Sequence, residues 1–304
     1  MRMSSLYHTN AMLTHIGANS TQINKLMEQL STLKRVNVPS DDPVAACRLV
    51  QMNREQSAIK QYQDNISVLR NSLGVQEAQI TTMDHQLQEI KTKLLAANNS
   101  SHSSQDMSGF GTELASMLEM LVQTANAKNE SGGYLFSGTK TTTTPVQLDN
   151  DGNYVFAGND QGRATSVANG VSIQENVNLA YTLSSAGNDL ELLNKLKELS
   201  QKMQDPELTF TDYNAEITAM LDKVQHANDQ VAAIYTDIGG RQNRLSLLED
   251  AHVDINIANA DVIRDLSETD QLTATTNLQL YIQSVQITNK AYSMISQLNL
   301  FSQM

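Results

Sequence analysis

The stretch from Leu266 to Phe301, LSETDQLTATTNLQLYIQSVQITNKAYSMISQLNLF, decides how the chain is read. Leu266, Thr273, Leu280, Ile287, Met294 and Phe301 recur in it every seven residues, and Leu278, Val285 and Tyr292 widen the same stripe. A repeat of seven marks a helix whose apolar seam is meant for another helix. The other end of the chain carries the same signal: Ile16, Ile23 and Leu30 form one seven-residue series, and Met12, Leu26 and Leu33 form its companion. One narrow stripe does not offset the entropy lost in ordering so long a helix, so each helix needs partners on several sides. Segment 1–35 carries Arg2, Lys25, Lys34 and Arg35 against Glu28, a net of +3. Segment 261–304 carries Asp261, Asp265, Glu268 and Asp270 against Arg264 and Lys290, a net of −2. Opposite signs favour pairing, although exposed ion pairs add little. Two terminal helices that pair with each other and with neighbouring copies point to assembly, not catalysis.

Composition narrows the classes further. The 304 residues include no Trp and only four Pro (Pro39, Pro43, Pro145, Pro206), so nothing after Pro206 forbids very long helices. A net charge of −12 without clustered Lys and Arg argues against a nucleic-acid partner. No apolar run is long enough to insert in a membrane, and Met1 to Asn10 lacks the apolar stretch of a cleavable secretory signal. The expectation is a protein that stays in the cytoplasm or leaves by a route that reads no such signal. The single Cys47 excludes an intramolecular disulfide; beside Ala45 and Ala46 it reads as a small buried apolar group.

Along the chain, a first helix is expected from after Thr9-Asn10 to about residue 35, broken by Val36 to Asp42. Ser40-Asp41-Asp42-Pro43 is a helix-capping motif, with Asp42 as N-cap and Pro43 in the first turn. The helix it opens runs to about Ala97. Asn98 to Gly111 reads as a loop, and a helix near Thr112 to Glu130 ends at Gly132-Gly133. Between Tyr134 and Tyr181 the pattern turns β-prone, with hairpin signals at Asp151-Gly152 and Asn169-Gly170. Helices resume at about Asn188 to Gln204 and continue from about Asp212 toward the end, through Gly239-Gly240. The fold class is therefore mainly α with a small β-rich insert: an elongated helical rod of nested N- and C-terminal long helices plus a variable β domain. The domains are terminal coiled-coil assembly helices (1–35 and 262–304), a helical rod (36–140 and 188–261) and a β-rich, surface-exposed insert (141–187). The assembly interface is assigned to Ile16, Ile23, Leu26, Leu30 and Leu33, and to Leu266, Leu280, Ile287, Met294 and Phe301.

Plainer explanations account for the groups that could carry chemistry. Asp149, Asp151, Asn153 and Asp160 sit at calcium-loop-like positions, but Tyr154 and Asp160 stand where the loop demands Gly and Glu, so a hairpin turn explains them better. Asp41-Asp42 is explained by capping rather than acid–base work. His8, His15, His85, His102, His226 and His252 show no metal-ligand spacing, and Gly109-Phe110-Gly111 lacks the strand and glycine of a phosphate cradle. The thirteen Met read as core filling. The expectation is no catalytic residue, no metal, no cofactor and no enzyme.

Particular strings carry a resemblance. Leu30-Ser31-Thr32-Leu33-Lys34-Arg35-Val36, followed by Val38-Pro39-Ser40-Asp41-Asp42-Pro43-Val44-Ala45-Ala46, resembles the N-terminal signature of the flagellin superfamily, in the form found in its hook-associated protein 3 branch. Gly133-Tyr134-Leu135-Phe136-Ser137-Gly138-Thr139-Lys140 is similar to that branch's stretch beside the variable domain. Ile238-Gly239-Gly240-Arg241-Gln242-Asn243-Arg244-Leu245 resembles a segment of the superfamily's long C-terminal helix. Asp265 to Asp270, Thr276 to Leu280 and Ile295 to Phe301 are similar to the branch's C-terminal block. Two departures stand out: Leu33 replaces a common Gly, and Gly239-Gly240 doubles a single one. The resemblance implies a structural protein of the bacterial flagellum, secreted through the flagellar type III apparatus with an export chaperone and without a cleavable signal. It also implies a ring-like helical layer of its own copies at the hook–filament junction, between hook-associated protein 1 and flagellin. A short flagellin and a cytoplasmic coiled-coil scaffold are the alternatives. The Pro-Ser-Asp-Asp-Pro string and the Leu-Asn-Leu-Phe ending argue against the first, and the nested β insert against the second.

Overall fold

In a computed structural model the protein is described over residues 2–99, 102–179 and 190–301. Its elements in chain order are α1 (Arg2–Thr32), α2 (Pro43–Ala97), α3 (Ser104–Ala125), β1 (Val146–Leu148), β2 (Tyr154–Phe156), β3 (Ala164–Ala168), β4 (Val171–Gln174), α4 (Glu191–Gln204), α5 (Phe210–Ser267) and α6 (Gln271–Phe301). The fold is mainly helical with a small strand insert.

Local chemistry explains where these helices start and stop, and where they differ from expectation. α1 begins at Arg2 rather than after Asn10: the Thr14 hydroxyl donates to the Asn10 carbonyl at 2.9 Å, so Asn10 lies inside the helix. α3 begins near Ser103, well before Thr112. The Ser103 hydroxyl accepts from the Asp106 N–H, and the Asp106 carboxylate accepts from the Ser103 N–H at 3.0 Å, a reciprocal cap that the Ser/Asn-rich composition had hidden. Gly111 then falls within α3, where a Cβ would lie 2.7 Å from the Ser200 carbonyl; its absence lets α3 and α4 approach. Gly239 and Gly240 lie inside α5 in open space. The last helical stretch is not continuous. It breaks at Glu268–Asp270, and α6 restarts because the Asp270 carboxylate accepts from the Leu272 N–H at 3.0 Å and the Thr273 hydroxyl at 2.6 Å.

The chain divides into two compact units, residues 59–252 and residues 1–58 with 253–304. In the first, seven-residue series on α2 (Ile66, Leu73, Ile80, Leu87, Leu94) and α5 (Ile217, Val224, Val231, Ile238, Leu245) are fully buried. Leu114, Leu118 and Leu121 of α3 and Leu193, Leu196 and Leu199 of α4 complete that core.

The strands belong to the same unit as two antiparallel hairpins, β1–β2 and β3–β4, turned at Gly152 and Gly170, both with positive φ. Val146, Phe156, Val167 and Ile173 bury into the helical core rather than forming one of their own. Three side-chain amides fasten this segment to the helices by imitating a backbone partner. Asn126 exchanges two hydrogen bonds with Val146, and Asn194 exchanges two with Tyr154. Gln76, itself buried, donates to the Glu175 carbonyl and accepts from the Val177 N–H. Each pairs polar groups that would otherwise be buried unsatisfied. His252, another buried polar residue, bonds the Val167 carbonyl through Nε2 at 2.7 Å and stacks on Tyr62. Cys47, expected inside, is exposed, because two residues on from buried Ala45 a helix points the other way.

Candidate assembly interface

The unit formed by residues 1–58 and 253–304 is built around an elbow where the chain crosses between helices twice. α1 ends at Thr32, and Leu33 follows with φ 59°, the left-handed conformation that glycine adopts at such ends. This is the position where the superfamily resemblance places a Gly, so a leucine is held in a glycine's conformation. The outgoing segment then pairs with the α5–α6 break. Arg35 N–H donates to the Ser267 carbonyl at 2.7 Å, Thr269 N–H donates to the Leu33 carbonyl at 3.2 Å, and Lys34 faces Glu268.

Arg35 is the centre of this joint. Its guanidinium reaches the Asp42 carboxylate at 3.2 Å and the Leu266 carbonyl at 3.0 Å, while Gln29 donates to its backbone carbonyl. The last carbonyls of α5 thereby gain a cation and an N–H where a helix end lacks internal partners. Asp42 also caps α2, accepting from the Ala45 N–H at 3.0 Å; that bond and then Arg35 hold its carboxyl below the usual aspartate range. Asp41 is lowered too, first by the Lys25 ammonium at 3.0 Å and next by the Val38 N–H. Pro43 opens α2, and Ser40 is exposed in the turn before it.

Beyond the elbow α1 and α6 lie against each other. Ile16, Ile23, Leu26 and Leu30 are half-buried, and on α6 Ala274 is buried while Leu278, Tyr281, Ile282, Val285 and Thr288 are half-buried. The series 280–287–294 faces elsewhere: Leu280, Ile287 and Met294 are 57%, 67% and 60% exposed. Leu33 is exposed at the elbow and Leu266 half-buried; the side chain of Phe301 lies outside the described residues. α6 thus carries two apolar faces, of which the chain itself covers one. Pattern reading merged them, because 278 and 285 differ from 280 and 287 by only two positions. Arg35 carried no signal beyond the string that contains it.

Asp149 accepts from the N–H groups of Asp151 and Asn153 at 2.9 and 2.7 Å, which uses its carboxylate to close the β1–β2 turn. Among the described residues no helix is long and apolar enough to cross a membrane, and no three His, Cys, Asp or Glu side chains group as a metal site.

These features define a class: a helical protein whose first and last segments fold together and leave an apolar face of the last helix exposed. Comparison with known proteins agrees. Residues 3–141 match the bacterial flagellin N-terminal helical region. The chain is 22% identical to flagellar hook-associated protein 3 of Escherichia coli over 99% of each chain. It is similar to the solved structure of a flagellar hook-associated protein from Vibrio parahaemolyticus, at 34% identity and a TM-score of 0.69, covering 75% of this chain and 100% of that one. A flagellar junction protein from Legionella pneumophila shares the fold at 16% identity, with a TM-score of 0.61 over 73% of this chain and 100% of that one. The chain belongs to the hook-associated protein 3 family of the flagellin superfamily, and its role is structural, within the flagellum.

Proposed function

We propose that this protein forms the hook–filament junction, a ring-like helical layer of its own copies that joins hook-associated protein 1 to flagellin. The observation that carries the reading is the outer face of α6: Leu280, Ile287 and Met294 stand exposed while α1 covers the opposite side. An apolar face left open on a long terminal helix is one that a neighbouring subunit completes. In this reading segments 1–35 and 262–304 are the assembly helices, 36–140 with 188–261 form the next shell, and 141–187 faces solvent. Export through the flagellar type III apparatus, with a chaperone and without a cleavable signal, belongs to the same proposal. The Legionella relative described as a junction protein supports it.

The test puts a charge where desolvation is required. Ile287→Asp or Met294→Asp would bury an unpaired carboxylate on assembly. The expected outcome is loss of assembly with no change in the thermal unfolding of the 59–252 unit. Purified variant protein is added to isolated hooks bearing hook-associated protein 1, which bypasses export and chaperone binding. If both variants cap those hooks and support flagellin growth as well as the unmutated protein does, the outer face of α6 is not the assembly surface.

A further inference from the structure

The β3–β4 hairpin bridges α2 and α5, and its backbone is bonded to both helices at each end. α5 runs antiparallel to α2, with Gln242 bonding Glu77 and Arg70 bonding Glu249. At the hairpin turn the Ser166 carbonyl accepts from Asn65 of α2 at 2.8 Å, and the next carbonyl, that of Val167, accepts from His252 of α5 at 2.7 Å. At the open end the carbonyls of Gln174 and Asn176 both accept from Nη1 of Arg241 on α5 at 3.1 Å. Between them the Glu175 carbonyl accepts from Gln76 of α2, which in turn accepts from the Val177 N–H. Successive peptide groups of an extended chain point to opposite sides, so a strand laid between two helices can bond them in alternation. The spacing on the two helices matches. Asn65 and Gln76 stand eleven residues apart on α2, and Arg241 and His252 stand eleven apart on α5. Eleven residues are three helical turns, about 16 Å.

Gln76 and Arg241 also mark where apolar series break. Each is the polar member of a seven-residue series: Leu69, Gln76, Met83 and Ile90 on α2, and Ala227, Ile234, Arg241 and Leu248 on α5. Gln76 is buried, and the Arg241 side chain is 16% exposed. Farther along the same two helices, α3 and α4 supply the partners: Gln86 bonds Thr124, and Lys202 and Glu191 bond Glu216 and Lys223. Along residues 62–77 and 238–252 the hairpin stands in that place. Its Val167 and Ile173 are buried, while Ser166, Ser172 and Gln174 stay in solvent. Long helices joined along one seam are weakly held, and so is a lone two-stranded hairpin. Each supplies what the other lacks, and the exposed Arg70–Glu249 pair adds little to either. We infer that residues 164–177 form a clasp that holds α2 to α5, with Asn65, Gln76, Arg241 and His252 as its positioning residues. The inference does not rest on the junction reading. It assigns this part of the insert to the helical rod.

The test measures the distance between α2 and α5 in the full chain with Cys47→Ser, by pulsed electron resonance of paired spin labels. One pair, Val68→Cys with Leu247→Cys, sits at exposed positions on the stretch that the hairpin spans. A second pair, Leu95→Cys with Asp222→Cys, sits at exposed positions on the stretch beside α3 and α4. Residues 164–174 are replaced by a short Gly/Ser linker, which can close because the Glu175 N–H already bonds the Arg163 carbonyl at 2.7 Å. The 68–247 pair should then lose its single narrow distance and gain a longer, broader one, while the 95–222 pair stays narrow. A milder variant, Gln76→Ala with Arg241→Ala, should move the 68–247 pair in the same direction. Arg241→Lys should leave it narrow, because one nitrogen of Arg241 bonds both carbonyls and a lysine ammonium can replace it. A 68–247 distance that stays narrow in the linker variant or in the double alanine variant overturns the inference. So does equal broadening at both pairs, which would mean that the whole unit had loosened, or broadening by Arg241→Lys as large as that of the double alanine variant.

Discussion

Both compact units are written in seven-residue apolar series, and they end in opposite states. In residues 59–252 the series on α2 and α5 are closed: Ile66, Leu73, Ile80, Leu87 and Leu94 and their partners from Ile217 to Leu245 are all shielded from solvent. Across residues 1–58 and 253–304, Ala45 and Ala274 are the buried apolar residues among the described side chains. Leu13, Met27, Val44, Val50, Ile257, Leu272, Leu280, Ile287 and Met294 remain exposed there. The difference teaches that a heptad pattern specifies a contact, not where the contact is made. The 59–252 unit completes its seams within one chain. The terminal unit leaves seams open within the single chain, and the proposed assembly would cover them.

That contrast can be broken by mutation, and core truncation should show it most strongly. Leu87→Ala removes a fully buried side chain and should lower unfolding stability by about 2–5 kcal/mol in urea titrations followed by circular dichroism. Leu280→Ala, at an equivalent place in a seven-residue series, should change the isolated chain by less than about 0.5 kcal/mol. A comparable loss from Leu280→Ala would mean that its face is already covered in the single chain.

Glycines sharpen the comparison on a smaller scale. Gly111→Ala sets a methyl group against the Ser200 carbonyl and should cost about 1–3 kcal/mol, read as a lower Tm. Gly240→Ala meets nothing within 4 Å and sits inside α5, so it should stabilise by about 0.4–1 kcal/mol. Opposite signs are expected from one substitution type. Matching signs would undo the claim that α3 and α4 are packed to the backbone at Gly111.

Acid should separate the two ways in which the units fasten their chain crossings. The elbow is held by carboxylates, whereas the hairpins are held by neutral amides. Asp41 and Asp42 have native pKa values below the ordinary 3.8, so their contribution is complete above that value and is lost as pH falls through the lowered native values. Hydrogen exchange at low pH should therefore show the amides of Asn37, Val38 and Ala45 losing protection. The Val177 amide, bonded to Gln76, should keep its own. Simultaneous loss at both places would show that both units had opened instead.

Much of the architecture was determined by the sequence alone, because the interactions responsible are local. Asp42 and Pro43 start α2 through bonds made within a few residues, and Asp151-Gly152 and Asn169-Gly170 turn their hairpins because glycine supplies the positive φ there. The seven-residue series established that both terminal segments carry helix-seam faces. Tertiary structure decided the rest. It broke the last helix at Asp270, whose cap lies between two segments that both read as helix, and joined that break to Leu33 and Arg35 from the far end of the chain. It also decided which face of α6 meets α1 and which stays open, and it put Asn126, Asn194 and Gln76 where backbone groups needed partners. These depend on residues far apart in the chain. A periodic pattern records that a side chain is apolar every second turn, but it does not record which neighbour covers it.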